Sequence, residues 1–224
     1  MHLGFIMDGN RRWAKQHMFQ TLIWHQEGSK RIEEMVEYCY SEGIEYCSFW
    51  ALAKKNIENR SEEELNYLYK LFQDSIDNLL PKLIDKSIRF EWVWNPAILP
   101  IHIVELLEDA KRQAQEGTKM AFILAIGYGG QEEIIRWIQQ FVREGWDIDT
   151  LDEKTLLPFL DTGRFPPPDL IIRTGGDIRH SGYFLYQSEY SEYYFTDTLW
   201  PDFKEMEFQK ALGTLKDAKR NFGK

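Results

Sequence analysis

Two stretches of this chain put carboxylates, guanidinium groups and glycines at spacings suited to binding polyanions. The first, Asp8-Gly9-Asn10-Arg11-Arg12-Trp13, follows the apolar run His2 to Met7. A carboxylate beside two arginines at a turn suits a diphosphate held through Mg²⁺. The aspartate ligates the hard cation through oxygen, while the arginines and loop amides take the phosphate oxygens. In the second, apolar Leu170-Ile171-Ile172 breaks into Arg173-Thr174-Gly175-Gly176-Asp177-Ile178-Arg179-His180-Ser181. Glycines let the backbone turn and bring its N–H groups near a ligand, and arginines supply forked donors. Each stretch alone also reads as a surface turn with solvated arginines. The presence of both, each at the end of an apolar run, favours an anion site.

These stretches need elements to hold them. Strands are expected over 2–7, 44–52, 88–94, 119–126 and 169–173, and helices over 27–41, 61–80, 100–116, 131–144 and 204–220. Ser61-Glu62-Glu63-Glu64 reads as a capping box opening the second helix. Gly127-Tyr128-Gly129-Gly130 turns a strand into a helix, and Pro166-Pro167-Pro168 is a stiff connector. Strands alternating with helices predict an α/β fold, a largely parallel central sheet flanked by helices, as one domain over 1–224. Ligands of such sheets bind beyond the carboxyl ends of the strands, where three glycine-containing turns fall.

Several function classes are disfavoured. A net charge of −9 argues against nucleic acid as the main partner, so an anion site must be a local basic cluster on an acidic surface. Cys39 and Cys47 have no metal-type spacing, which points to a reduced, cytosolic protein. There is neither a Walker-type glycine-lysine loop nor an aspartate-rich Asp-Asp-x-x-Asp helix. No window approaches the ~18 apolar residues of a spanning helix, which leaves contact with a membrane surface open.

In order along the chain, several motifs resemble those of the cis-prenyltransferases, the family of undecaprenyl diphosphate synthases. They are Met7-Asp8-Gly9-Asn10 with Arg12-Trp13-Ala14, His25 with Gly28, Asn56 with Arg60, and Tyr128-Gly129-Gly130. Arg173-Thr174-Gly175-Gly176 through Ser181, Tyr190-Ser191-Glu192 and the stretch Tyr194 to Phe203 continue the series. The resemblance implies a homodimeric, Mg²⁺-dependent transferase that condenses isopentenyl diphosphate with a farnesyl-type allylic diphosphate. The product would be a cis-polyprenyl diphosphate of the undecaprenyl type, grown into an apolar tunnel between the sheet and two helices. By the same resemblance Asp8 ligates Mg²⁺ on the leaving diphosphate, held by Gly9, Asn10, Arg11, Arg12, Trp13 and His25. Arg173, Arg179 and Ser181 hold isopentenyl diphosphate, Glu192 is a second metal-associated acid, Asn56 lies near the reacting carbons, and Arg60 supports the phosphates.

Without the family, His25 also reads as a half-buried histidine, Asn56 as a loop asparagine and Glu192 as a solvated helix residue. The chain also departs from the family pattern. Arg11 stands where a glycine is usual and Thr21 near a usual arginine. Ala53-Lys54-Lys55-Asn56 replaces a Ser-x-Glu-Asn segment, Asp177 a glutamate, and Asn221 an arginine that Arg220 could replace. These departures, with Trp50, Trp92 and Trp94, keep two alternatives in view: a short-chain or irregular synthase, and a non-catalytic supporting subunit.

Overall fold

The structure, a computed structural model, describes residues 1–18, 23–93, 95 and 98–218, with the side chains of 23–26 excepted. Thr21, Trp94, Arg220 and Asn221 therefore lie outside the described residues, as does the His25 side chain. The elements run β1 (His2–Ile6), α1 (Asn10–Gln16), α2 (Ile23–Ser41), β2 (Tyr46–Ala53), α3 (Lys54–Asn59), α4 (Glu62–Asp85) and β3 (Ile88–Val93). They continue α5 (Ile101–Gln113), β4 (Met120–Tyr128), α6 (Gly130–Arg143), α7 (Glu153–Leu156), β5 (Leu170–Arg173), β6 (Glu192–Phe195) and α8 (Glu205–Asp217).

The six strands form one sheet of order β3-β4-β2-β1-β5-β6, parallel at every pairing. The chain leaves β1 toward β2 on one side and returns to β5 on the other. The crevice between the ends of β1 and β5 is thus the point where winding reverses, the place where open α/β sheets bind ligands. The Asp8 and Arg173 turns flank it.

Period-two alternation splits the sheet's side chains between two apolar layers. Leu3, Phe5, Cys47, Phe49, Phe90, Trp92, Phe122 and Leu124 face the layer packed by α2, α4, α5 and α8. Ile6, Ile123, Ala125, Tyr128 and Ile171 face the other, with Tyr183 and Phe184. Trp50, grouped above with Trp92, is on this second layer, stacked on Tyr183 at 5.2 Å. On the first layer an aromatic row crosses four strands. Phe5 stacks on Phe49 at 4.7 Å, Phe49 meets Phe122 at 5.4 Å, and Phe122 meets Phe90 at 5.6 Å. None of the four is more than 2% exposed.

Three expectations need correction. A sixth strand, β6, exists where none was read, so Glu192 begins a strand rather than riding on a helix. Helix α4 does not stop near residue 80; it runs through Pro81 to Asp85, anchored beyond the proline by Leu83, 1% exposed. The missing proline N–H costs one hydrogen bond, which burial of that last turn offsets. The capping box is half formed: Ser61 Oγ accepts from Glu64 N at 3.3 Å, but the Glu64 carboxylate is directed to Arg11 and Arg60. A cavity of about 150 Å³ lies between α2 and α4, lined by Leu79 and Leu83 together with Glu33, Glu37, Lys82 and Lys86. Cys39 and Cys47 are free and buried, and no helix among the described residues is long and apolar enough to cross a membrane.

Candidate functional site

Asp8 leaves β1 and Gly9 turns the chain into α1 with φ of 105°, a left-handed conformation that favours glycine. Space as well as torsion demands glycine there, since a Cβ would sit 2.8 Å from Leu199 Cδ2. The Asp8 backbone is clamped to β5. Its N–H donates to Thr174 Oγ1 at 3.0 Å, and that hydroxyl donates back to the Asp8 carbonyl at 2.7 Å. From below, Trp200 N donates to the same carbonyl at 3.1 Å.

The Asp8 carboxylate lies between two arginines. Oδ2 accepts from Arg173 Nη2 at 2.9 Å; Oδ1 accepts from Arg12 Nη2 at 3.2 Å and from its neighbour Gly9 N at 2.6 Å. Arg173, only 6% exposed in its side chain, is the hub. Its Nη1 donates to the Arg179 carbonyl at 2.8 Å and to Ser181 Oγ at 2.7 Å, and its Nη2 also reaches Asp177 Oδ2 at 3.3 Å. Arg179 pairs with Asp177 at 2.5 Å. Arginine partners hold the Asp177 carboxyl below its usual range against partial desolvation. Ser181 is held at φ 54°, which a serine rarely adopts. Three guanidinium groups thus face two carboxylates, leaving one positive charge in excess.

Across α1 a second cluster forms from Arg11, Arg60 and Glu64. Arg11 Nη2 is 2.5 Å and Arg60 Nε 3.3 Å from the same Glu64 Oε1. Two cations share one carboxylate. Burial draws the Arg60 guanidinium down from its ordinary value, and the nearby Arg11 charge adds to this.

The anion loop is also braced from α6. Gly130 N donates to the Gly182 carbonyl at 3.1 Å, and a Cβ on Gly130 would fall 2.4 Å from both that oxygen and Leu185 Cβ. Behind it the buried Glu133 accepts from Tyr128 OH at 2.9 Å and from Thr162 N and Oγ1 at 2.8 and 2.9 Å. Thr162 in turn accepts from Gln187 Nε2 at 2.8 Å. Burial raises both the Glu133 carboxyl and the Tyr128 hydroxyl.

The structure therefore gathers Asp8, Gly9, Arg12, Arg173, Arg179 and Ser181 around one crevice, while Arg11 and Arg60 converge on Glu64. Trp13 is buried and donates to Asp202 Oδ1 at 2.9 Å; Asn10 donates to the Met7 carbonyl at 3.2 Å; both brace the turn. Asn56 is exposed on α3. Glu192 does not join Asp8 within one chain. It pairs with Leu170 at the start of β5, whereas Ile6, just before Asp8, pairs with Arg173 at its end. The glycine amides were expected to face a ligand, but Gly175 N and Gly176 N donate to the carbonyls of Thr198 and Thr196, each at 2.8 Å. Thr174, Leu199 and Trp200 also hold the first turn, through contacts that span more than 160 residues and have no local signal.

Residues 6–223 match the Prenyltransf model of the undecaprenyl diphosphate synthase family. The chain is 35% identical to a tritrans,polycis-undecaprenyl-diphosphate synthase (geranylgeranyl-diphosphate specific) of Thermoplasma acidophilum, covering 100% of this chain and 88% of that protein. It is 33% identical to a ditrans,polycis-undecaprenyl-diphosphate synthase ((2E,6E)-farnesyl-diphosphate specific) of Micrococcus luteus, covering 99% and 90%. Its fold superposes with a TM-score of 0.93 on lavandulyl diphosphate synthase from Lavandula x intermedia in complex with dimethylallyl diphosphate, at 33% identity over 100% and 98% of the two chains. With its crevice of paired arginines and aspartates at the β1–β5 switch point, the chain belongs to the undecaprenyl diphosphate synthase family of prenyltransferases.

Proposed function

We propose that the chain condenses isopentenyl diphosphate with a farnesyl-type allylic diphosphate to make a cis-polyprenyl diphosphate of the undecaprenyl class, the precursor of a lipid carrier for cell-wall synthesis. The observation that carries this reading is Asp8 set between Arg12 and Arg173 at the ends of two adjacent parallel strands.

In this reading Arg12 binds the allylic diphosphate on the α1 side of Asp8, with Arg11, Arg60 and His25 around it. These cations meet negative charge as it grows on the departing diphosphate, and their positions are set before reaction. Arg173, Arg179 and Ser181 bind isopentenyl diphosphate on the β5 side and hold its alkene toward the allylic carbon. Asp8 fits a magnesium ligand: it is a hard oxygen donor, 32% exposed, and one carboxylate plus substrate oxygens is an ordinary Mg²⁺ set. When bound, Mg²⁺ would supply positive charge against the negative charge growing on the departing diphosphate. Asn56 lines the approach to the reacting carbons. The same reading makes the protein a cytosolic homodimer that meets a membrane surface through its product. Glu192 then acts from its own end of β6 rather than beside Asp8.

Incubation with farnesyl diphosphate, radiolabelled isopentenyl diphosphate and Mg²⁺, followed by chromatography, tests the proposal. Labelled, extended product is expected; none, where a control synthase is active, sinks it. Asp8→Ala separates an enzyme from a supporting subunit, which would be indifferent to that change.

One observation favours a second reading, a short-chain or irregular synthase. The Phe5–Phe49–Phe122–Phe90 row is buried on the helix-covered face of the sheet, where it would stop a growing chain early. On this reading the product has only a few isoprene units and Phe122→Leu lengthens it.

A further inference from the structure

Glu64 is placed as the third helical residue of a capping box, where its carboxylate would ordinarily return to the Ser61 amide. It turns away, to Arg11 and Arg60, whose nitrogens lie 2.5 and 3.3 Å from one oxygen, Oε1. The group so held is short of anion: two guanidinium groups share one carboxylate. Arg60 is 15% exposed in its side chain and its Nε is buried without a hydrogen-bond acceptor, so the existing ion pair leaves that N–H unsatisfied. A phosphate group offers several oxygens to the same two forks and carries more charge than a carboxylate. The Arg11–Glu64 bond is the weaker barrier to exchange, because Arg11 is 61% exposed and exposed pairs contribute little.

We propose that Glu64 is an internal anion, a carboxylate that stands in the phosphate position between Arg11 and Arg60 until a diphosphate displaces it. The site for that diphosphate is the one assigned above to the allylic substrate, so the inference rests on that reading. Glu64 is then a positioning residue that sets the affinity for the diphosphate by competition. It also joins α1, which carries the Asp8 turn, to the first turn of α4. Substrate binding uncouples the two elements and returns Glu64 to its capping role at Ser61. Arg11 is what makes the competition strong here, since it gives the carboxylate a second cation.

The test is calorimetric titration of the full chain with inorganic pyrophosphate at fixed ionic strength, comparing wild type, Glu64→Gln, Arg11→Gly and the double variant. Glu64→Gln is expected to bind pyrophosphate about three- to fivefold more tightly, the range set by losing one exposed competing pair. In the Arg11→Gly background that gain is expected to shrink to less than about twofold. Equal or weaker binding by Glu64→Gln overturns the proposal, and so does a gain that persists undiminished without Arg11. Should Glu64→Gln fail to fold, Glu64→Asp, one methylene shorter and still charged, is expected to tighten binding as well; no tightening overturns the proposal. The readout needs no turnover. Absence of prenyl product with tighter pyrophosphate binding refutes the prenyltransferase reading alone, and product with unchanged binding refutes the role of Glu64 alone.

Discussion

Replacing Arg173 with lysine keeps the charge of the hub and removes its fork. The two Nη atoms serve four acceptors: the Arg179 carbonyl at 2.8 Å, Ser181 Oγ at 2.7 Å, Asp8 Oδ2 at 2.9 Å and Asp177 Oδ2 at 3.3 Å. A lysine has one nitrogen, a compact point donor, and can serve one of these pairs but not both. Attraction to the two carboxylates fixes which pair it keeps. The Arg179 carbonyl and Ser181 Oγ then lose a charged donor, each such bond being worth about 1.5–3 kcal/mol, with partial rehydration of the exposed serine offsetting some of it. The expected loss of stability is about 2–4 kcal/mol, read as a lower urea midpoint with unchanged slope. The loop of Arg179 and Ser181 loosens, so KM for isopentenyl diphosphate is expected to rise about tenfold or more while KM for the allylic substrate moves little. A variant within about 0.5 kcal/mol of wild type, with an unchanged KM, would refute the reasoning that Arg173 is the hub.

Three further outcomes are expected. Gly130→Ala forces a Cβ to within 2.4 Å of the Gly182 carbonyl and should cost about 1–3 kcal/mol, with KM for isopentenyl diphosphate rising as the loop shifts; a melting curve and initial rates check both. Thr174→Val leaves the Asp8 N–H and carbonyl without their hydroxyl partner and should cost about 1–3 kcal/mol by urea unfolding, with no effect on bulk shape. His2 is fully buried, its Nδ1 donating to the Pro166 carbonyl at 2.7 Å and its Nε2 accepting from Ser48 Oγ at 2.8 Å; burial lowers its pKa from 6.5 to about 4. The unfolded chain binds that proton below about pH 6.5 and the folded chain only near pH 4. This contribution, on the order of 3 kcal/mol, is therefore complete above pH 6.5 and is lost as pH falls toward 4. An NMR titration should find the His2 imidazole still neutral at pH 5.5.

How far the residues disclose the site depends on how local each signal is. Asp8 and Arg173 were legible because each ends an apolar run at a glycine-containing turn; that β1 and β5 lie side by side is set by the strand order, which no local pattern carries. The seven-residue α1 and six-residue α3 are too short to show a helical period, and β6, four residues all half-buried, shows no clear alternation. The second helix, expected over 61–80, runs on through Pro81 to Asp85 because Leu83 is buried there, a tertiary effect with no local signal. Glu64 carries a correct local signal, a capping box, that a long-range attraction overrides: Arg11 is fifty-three residues away. Trp50 and Trp92 look alike in sequence, but the phase of each strand sends them to opposite faces of the sheet.

On the proposed function, Asp8 is the group that holds the departing diphosphate in the crevice beside Arg12 and Arg173. Single-turnover transfer from an allylic diphosphate to labelled isopentenyl diphosphate, at saturating Mg²⁺, measures that directly in wild type and Asp8→Asn. The expected result is a fall in the transfer rate of about a hundred- to a thousandfold, the scale of losing one preorganised stabiliser of developing charge, with circular dichroism unchanged. Transfer by Asp8→Asn within about threefold of wild type would contradict it.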